Sequence, residues 1–137
     1  MSQNNIFLGD KMYSQTVLDL ILNPQNVGLI SDHDGIGKAG DEKCGDYLEI
    51  SIKVKNAIIT DIKFMVQGCV GAIASSSMTT IIAKNKPVME AYLISDEDII
   101  KALGGLPEAK KHCSVLGAVA LKRAIIDYSK KMKNTSV

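Results

Sequence analysis

Aromatic side chains make up only 4% of the 137 residues, too few for a platform that stacks bases. Neither sign of charge dominates: 16 Lys and Arg face 15 Asp and Glu, for a net charge of +1. A basic surplus able to hold a phosphate backbone is therefore missing, and nucleic acid is not an expected partner. Cysteine is scarce and odd in number, at three. With no paired-cysteine framework and no signal-peptide pattern, the chain reads as a protein of a reducing compartment. Its first residues, Met1 to Lys11, include Asp10 and no arginine, unlike a mitochondrial transit peptide. The expected localisation is a bacterial or archaeal cytoplasm. The chain has no Cys-x-x-Cys, which disfavours a thiol oxidoreductase. It also has no His-Glu-x-x-His, which disfavours a zinc hydrolase. Charge is absent from Phe64 to Ala83, a stretch long enough to span a bilayer. Gln67, Ser75, Ser76, Ser77, Thr79 and Thr80 weaken insertion, so a strand end, a turn and a buried helix are expected there, and no membrane partner.

The length suits one domain with a core large enough to do without disulfides. Leu48, Ile50, Ile52 and Val54 alternate with Glu49, Ser51, Lys53 and Lys55, the pattern of a half-buried strand. After Asn56-Ala57, a hairpin connection, Ile58, Thr60, Ile62, Phe64 and Val66 alternate with Ile59, Asp61, Lys63, Met65 and Gln67. Gly28 to Ser31 reads as a short edge strand. The loop from Ser31 to Lys43, rich in glycine and charge, is expected to be mobile without metal. Helices are expected at about 14–22 with Ser14 as N-cap, from Val70 to Lys84, from Pro87 to about Leu93, after the capping box at Ser95-Asp96-Glu97-Asp98, and from Glu108 to Lys130. On the last of these, Ser114, Gly117, Ala118, Leu121, Ala124, Ile125 and Tyr128 share a charge-free face. The serine run on the Val70 helix is read as a close-packed face rather than a catalytic group, because no base stands at a fixed spacing. The expected fold is α+β: a small, mainly antiparallel three-stranded sheet with helices packed on one face.

All three cysteines sit in settings that suit metal chemistry. They occur as Lys43-Cys44-Gly45-Asp46, Gln67-Gly68-Cys69-Val70-Gly71 and Lys111-His112-Cys113-Ser114. Cys44, Asp46, Cys69, His112 and Cys113 are five soft or borderline donors for zinc or an iron–sulfur cluster. Cys69 falls at a strand exit and helix start, where free N–H groups favour thiolate. Cys113 has Lys110, Lys111 and His112 before it, and sequence electrostatics ranks it the most acidic thiol. Of the two lysines, Lys110 is the more readily read as a solvated helix start. His33 is left outside the site as a solvated loop residue. The turn role of Asp46 and its role as a ligand weigh evenly on spacing alone, and a closed structural zinc site built from the same donors is the alternative reading.

The segments Tyr13-Ser14, Asn23-Pro24-Gln25-Asn26-Val27-Gly28, Cys44-Gly45-Asp46, Gly68-Cys69, Ala72-Ile73-Ala74-Ser75-Ser76-Ser77 and His112-Cys113-Ser114 together resemble the IscU/NifU-type iron–sulfur cluster assembly scaffolds, over about residues 12–128. The resemblance implies a SufE/NifU-like fold. It also implies a scaffold, not an enzyme, that accepts sulfur from a cysteine desulfurase, binds iron, builds a transient 2Fe-2S cluster and passes it to apo iron–sulfur proteins. Cys113 would be the persulfide acceptor and Asp46 the residue that keeps the cluster labile. Zinc can occupy such a pocket. Residues 1–12 would form a flexible N-terminal extension, 13–130 the scaffold domain and 131–137 a flexible tail. Two departures stand out. The family's Leu-Pro-Pro-Val-Lys reads Leu106-Pro107-Glu108-Ala109-Lys110 here, which puts an Hsp70-type chaperone partner in doubt. Val70-Gly71 replaces the Gly-Ser often found after the second cysteine.

Overall fold

The computed structural model describes residues 5–8, 11–41 and 45–135. The chain starts with a hairpin of β1 (Asn5–Leu8) and β2 (Lys11–Ser14). Ser14 then caps α1 (Gln15–Leu22), its hydroxyl accepting from the Val17 N–H. The main sheet is antiparallel, in the order β3 (Gly35–Asp41), β4 (Asp46–Lys55), β5 (Ile58–Gln67). Four helices follow: α2 (Val70–Ala83), α3 (Val88–Tyr92), α4 (Asp96–Ala102) and α5 (His112–Thr135), the last preceded by a 3-10 turn at Glu108–Lys110. The expected capping box is formed, with Asp98 N–H on Ser95 Oγ and Ser95 N–H on Asp98 Oδ2. Among the described residues no helix is long and apolar enough to cross a membrane.

In β4 Leu48, Ile50 and Ile52 are fully buried as expected, each stabilising the fold by about 1.5–3 kcal/mol, but Ser51 on the opposite face is buried too and Val54 only half-buried. In β5 the alternation changes phase. Lys53 pairs with Asp61 but Val54 pairs with Ile59, so Thr60 is an extra residue in a bulge. Ile59, Ile62 and Phe64 therefore face the core, while Ile58 and Thr60, expected on that face, are exposed. The hairpin between these strands puts both Asn56 and Ala57 at positive φ, 55° and 62°.

Two expectations from the loop region need correction. Gly28 to Ser31 is not a strand. Asn26 at φ 65° and Gly28 at φ 139° interrupt any extended run, and among the described residues pairing with β5 is a single isolated bridge, Val27 to Phe64. The third strand is instead Gly35–Asp41, inside the segment expected to be a mobile loop. Its glycines serve packing. A Cβ at Gly37 would lie 2.1 Å from the Ala120 carbonyl oxygen, and one at Gly35 would lie 2.3 Å from that of Ala124. Only bare backbone lets α5 lie this close to β3. The helix also covers the strand's free edge: Asp127 accepts from Ile36 N–H and Arg123 donates to the Lys38 carbonyl.

The charge-free face of α5 packs on the sheet as expected, with Ser114, Gly117, Ala118, Leu121, Ala124 and Ile125 buried. Helix α2 fits between α5, α1 and β5. Its Ser75, Ser76, Ser77, Thr79 and Thr80 are buried. Three hydroxyls donate within the helix, Ser75 to the Ala72 carbonyl, Thr79 to that of Ser75 and Thr80 to that of Ser77, and Ser77 donates to the distant Gln25 carbonyl. Gly117 leaves room for the Thr79 hydroxyl. The serine run is thus a packing face. Helix α5 runs beyond Lys130 to Thr135.

Candidate metal centre

Three element ends meet at one end of the sheet. Asp46 opens β4, Cys69 follows β5 after Gly68 and is the N-cap of α2, and His112 and Cys113 begin α5. His112 Nε2 lies 3.1 Å from Asp46 Oδ2 and 3.8 Å from Cys113 Sγ. The sulfurs of Cys69 and Cys113 are 3.9 Å apart. Ligand atoms of Asp46, His112 and Cys113 all fall within 4.8 Å of one another, which is close enough to share one ion. Four of the five donors expected from sequence are therefore together. The fifth, Cys44, lies outside the described residues.

Glycines shape this corner. A Cβ on Gly68 would sit 2.6 Å from Asp46 Oδ1. The group that approaches this glycine most closely is thus a carboxylate rather than backbone. Gly40, at φ 106°, lets β3 pass the Asp46 carbonyl, where a Cβ would be 2.2 Å away. At Gly71 the stem of Lys110 passes at van der Waals distance on its way to Cys69.

The thiols differ from the order that the sequence suggested. Burial pushes the Cys69 thiol up, but the Ala72 backbone N–H, the Cys113 thiol and the Lys110 ammonium outweigh it. The net effect holds Cys69 below the ordinary thiol value. Cys113 is only 1% exposed. Burial, the neighbouring Cys69 and the Asp46 carboxylate push its thiol up to about 12. Sequence neighbours ranked Cys113 first, yet the cation that matters points at Cys69. Lys110, expected to be solvated, hydrogen-bonds the Cys69 sulfur. Lys111 instead reaches the exposed Glu108, at 3.2 Å.

Lys110 and Gly68 are the residues whose roles sequence reasoning missed, since nothing in their spacing names the partner they meet. Tyr13, 2% exposed, also belongs to the surroundings of the site. Burial raises its phenol, Lys110 opposes this, and Cys69 and Cys113 add to it. His33 stays outside the group but is not simply solvated: its Nδ1 is buried with no hydrogen-bond partner among the described residues.

The family model of the NifU-like N terminal domain matches residues 12–135. The chain belongs to this NifU-like family. It is 53% identical over 120 residues to "Iron-sulfur cluster assembly scaffold protein IscU 1" of Archaeoglobus fulgidus, covering 88% of this chain and 78% of that protein. It is 46% identical over 121 residues to the IscU scaffold protein of Aquifex aeolicus, covering 87% and 77%. The fold matches the crystal structure of a NifU-like N-terminal protein from Brucella abortus with a TM-score of 0.67, at 18% identity, over 86% of this chain and 94% of that one. The NifU-like assignment covers all four converging donors and Cys44.

Proposed function

We propose that this chain is a scaffold on which iron–sulfur clusters are assembled and from which they leave. The observation that carries the reading is the meeting of Asp46, Cys69, His112 and Cys113 at one sheet end, in a chain 53% identical to a protein named as such a scaffold. Iron and sulfur are the cargo. Two described thiols, with Cys44 as the third, are too few for all-cysteine ligation of a cluster that is to stay. A carboxylate or imidazole in the remaining position suits a 2Fe-2S cluster that must be released, because oxygen holds such iron less firmly than thiolate. The Asp46 carboxylate, backed by His112, takes that role.

A cysteine desulfurase supplies the sulfur, and apo iron–sulfur proteins take the product. Cys113 is the proposed persulfide acceptor, with His112 Nε2, 3.8 Å away, able to take the thiol proton. Its acidity does not support that choice. Its neighbour His112 is exposed, with a side chain 57% accessible, while Cys113 itself is buried. Zinc fits the same donors and can occupy the site in the resting protein. The chain acts as a scaffold rather than a turnover enzyme, in the cytoplasm. An Hsp70-type chaperone is not among the proposed partners, since Glu108 stands in the motif's second proline position, on a 3-10 turn.

Anaerobic incubation with ferrous iron, cysteine and a cysteine desulfurase tests this reading. The protein should gain visible sulfide-to-iron absorption and then lose it to apo-ferredoxin. Asp46→Ala should give a longer-lived cluster that transfers more slowly. A protein that binds zinc tightly, gains no chromophore and donates nothing would be the structural zinc protein instead. Persulfide mapping mainly to Cys69 would reassign the sulfur acceptor.

A further inference from the structure

The Cys69–Cys113 pair carries a second chemistry that needs no metal. The two residues are 44 apart in sequence, yet their sulfurs are 3.9 Å apart. A disulfide is about 2.0 Å long, so the atoms lack about 2 Å of bonding distance. The pair is asymmetric. Cys69 is partly exposed where the chain leaves the sheet for α2. Cys113 is 1% exposed, in the first turn of α5. A reagent from solution meets Cys69 first and finds Cys113 behind it. The missing Cys-x-x-Cys motif excludes a locally paired dithiol; here the fold does what the short spacing does in such motifs.

We propose that Cys69 and Cys113 form an oxidant-responsive dithiol, in which Cys69 exchanges with a low-molecular-weight disulfide and Cys113 resolves the product. Cys69 thiolate attacks one sulfur of the disulfide RSSR, forming Cys69–S–S–R and releasing RS⁻. Cys113 gives its proton to that thiolate and attacks the Cys69 sulfur, expelling the second RS⁻. The net change oxidises two cysteines and reduces one RSSR to two thiols, with two electrons passed and no atom unaccounted for. The product lacks two sulfur donors, so an oxidising shift would close the metal centre, and a thiol reductant would reopen it. This inference does not rest on cluster assembly; it requires only the dithiol.

The test uses the full chain, stripped of metal, incubated with oxidised glutathione, quenched with acid and read by intact mass and peptide mapping. The parent and Cys44→Ser should both lose two hydrogens and yield a Cys69–Cys113 cross-link with no lasting adduct. Cys113→Ser should stop at one glutathione on Cys69. Cys69→Ser should leave Cys113 unmodified over the same time. A brief iodoacetamide pulse on the reduced parent, independent of any variant's folding, should label Cys69 before Cys113. The oxidised parent should lose zinc uptake and regain it with dithiothreitol. A cross-link that needs Cys44, a lasting adduct on Cys69 in the parent, or first attack at Cys113 would each overturn the proposal.

Discussion

Gly68→Ala separates the stability of the fold from the construction of the site. The new Cβ would stand 2.6 Å from Asp46 Oδ1 and 3.3 Å from the Ala72 Cβ. To reach ordinary contact, the carboxylate oxygen must retreat by about 0.8 Å. The group that must move is the end of a side chain, and Gly68 has no left-handed φ to defend. Alanine also restricts the unfolded chain, a gain of about 0.4–1 kcal/mol that offsets the crowding. Net stability should therefore change by less than about 1 kcal/mol, a few degrees in Tm. The site has no such tolerance, because ligand distances hold to about 0.2 Å. Pushing Asp46 away from His112, now 3.1 Å apart, should lower zinc affinity about 10–100-fold. Competition against a chromophoric chelator measures this, beside thermal melts of the metal-free protein. In an Asp46→Ala background the same change should cost nothing further, because both act through one carboxylate. Unchanged zinc affinity, or full additivity with Asp46→Ala, would refute the reasoning. A fall in Tm of more than about 10 °C would show that backbone, not the side chain, absorbs the clash.

Gly37→Ala should behave oppositely, since its Cβ meets the Ala120 carbonyl oxygen at 2.1 Å and the Ala124 nitrogen at 2.3 Å. Neither atom can give without shifting α5, so urea unfolding should show a loss of about 3 kcal/mol or more. Ala57→Gly should stabilise by about 0.5–1 kcal/mol, because relief of left-handed strain at φ 62° exceeds the entropy cost of glycine; an unchanged or lower urea midpoint would argue against it. Burial raises the Asp127 carboxyl, but Lys131 and the Ile36 N–H outweigh it and hold it below the usual value. Its stabilising effect is thus complete above the ordinary carboxylate pKa of about 4 and is lost as pH falls through the lower folded value. The stability gap between the parent and Asp127→Asn should therefore be largest at neutral pH and shrink in acid, as read from urea melts across pH.

The alternation of Leu48, Ile50 and Ile52, the Ser14 and Ser95 caps and the charge-free face of α5 were legible because each is a local signal, set by strand or helix period or by a cap a few residues from its target. Asp46, Cys69, His112 and Cys113 stood out as candidate donors, because soft ligands beside glycine and charge are chemically unusual wherever they stand. The shift of phase at Thr60 was not legible, since a bulge is fixed by register with another strand. Strand β3 was misread because Gly35 and Gly37 signal a loop by composition, and only contact with the α5 backbone shows why they are glycine. The thiol order failed for a related reason. Sequence places Lys110 near Cys113, whereas folding lays its ammonium on Cys69 and buries Cys113. By itself the sequence determined which elements form and which side chains can hold metal, since propensity, period and ligand chemistry belong to the residues. Tertiary structure alone decided which donors meet, which thiol is acidic and which glycines are indispensable, because distance, burial and close approach depend on residues far apart in the chain.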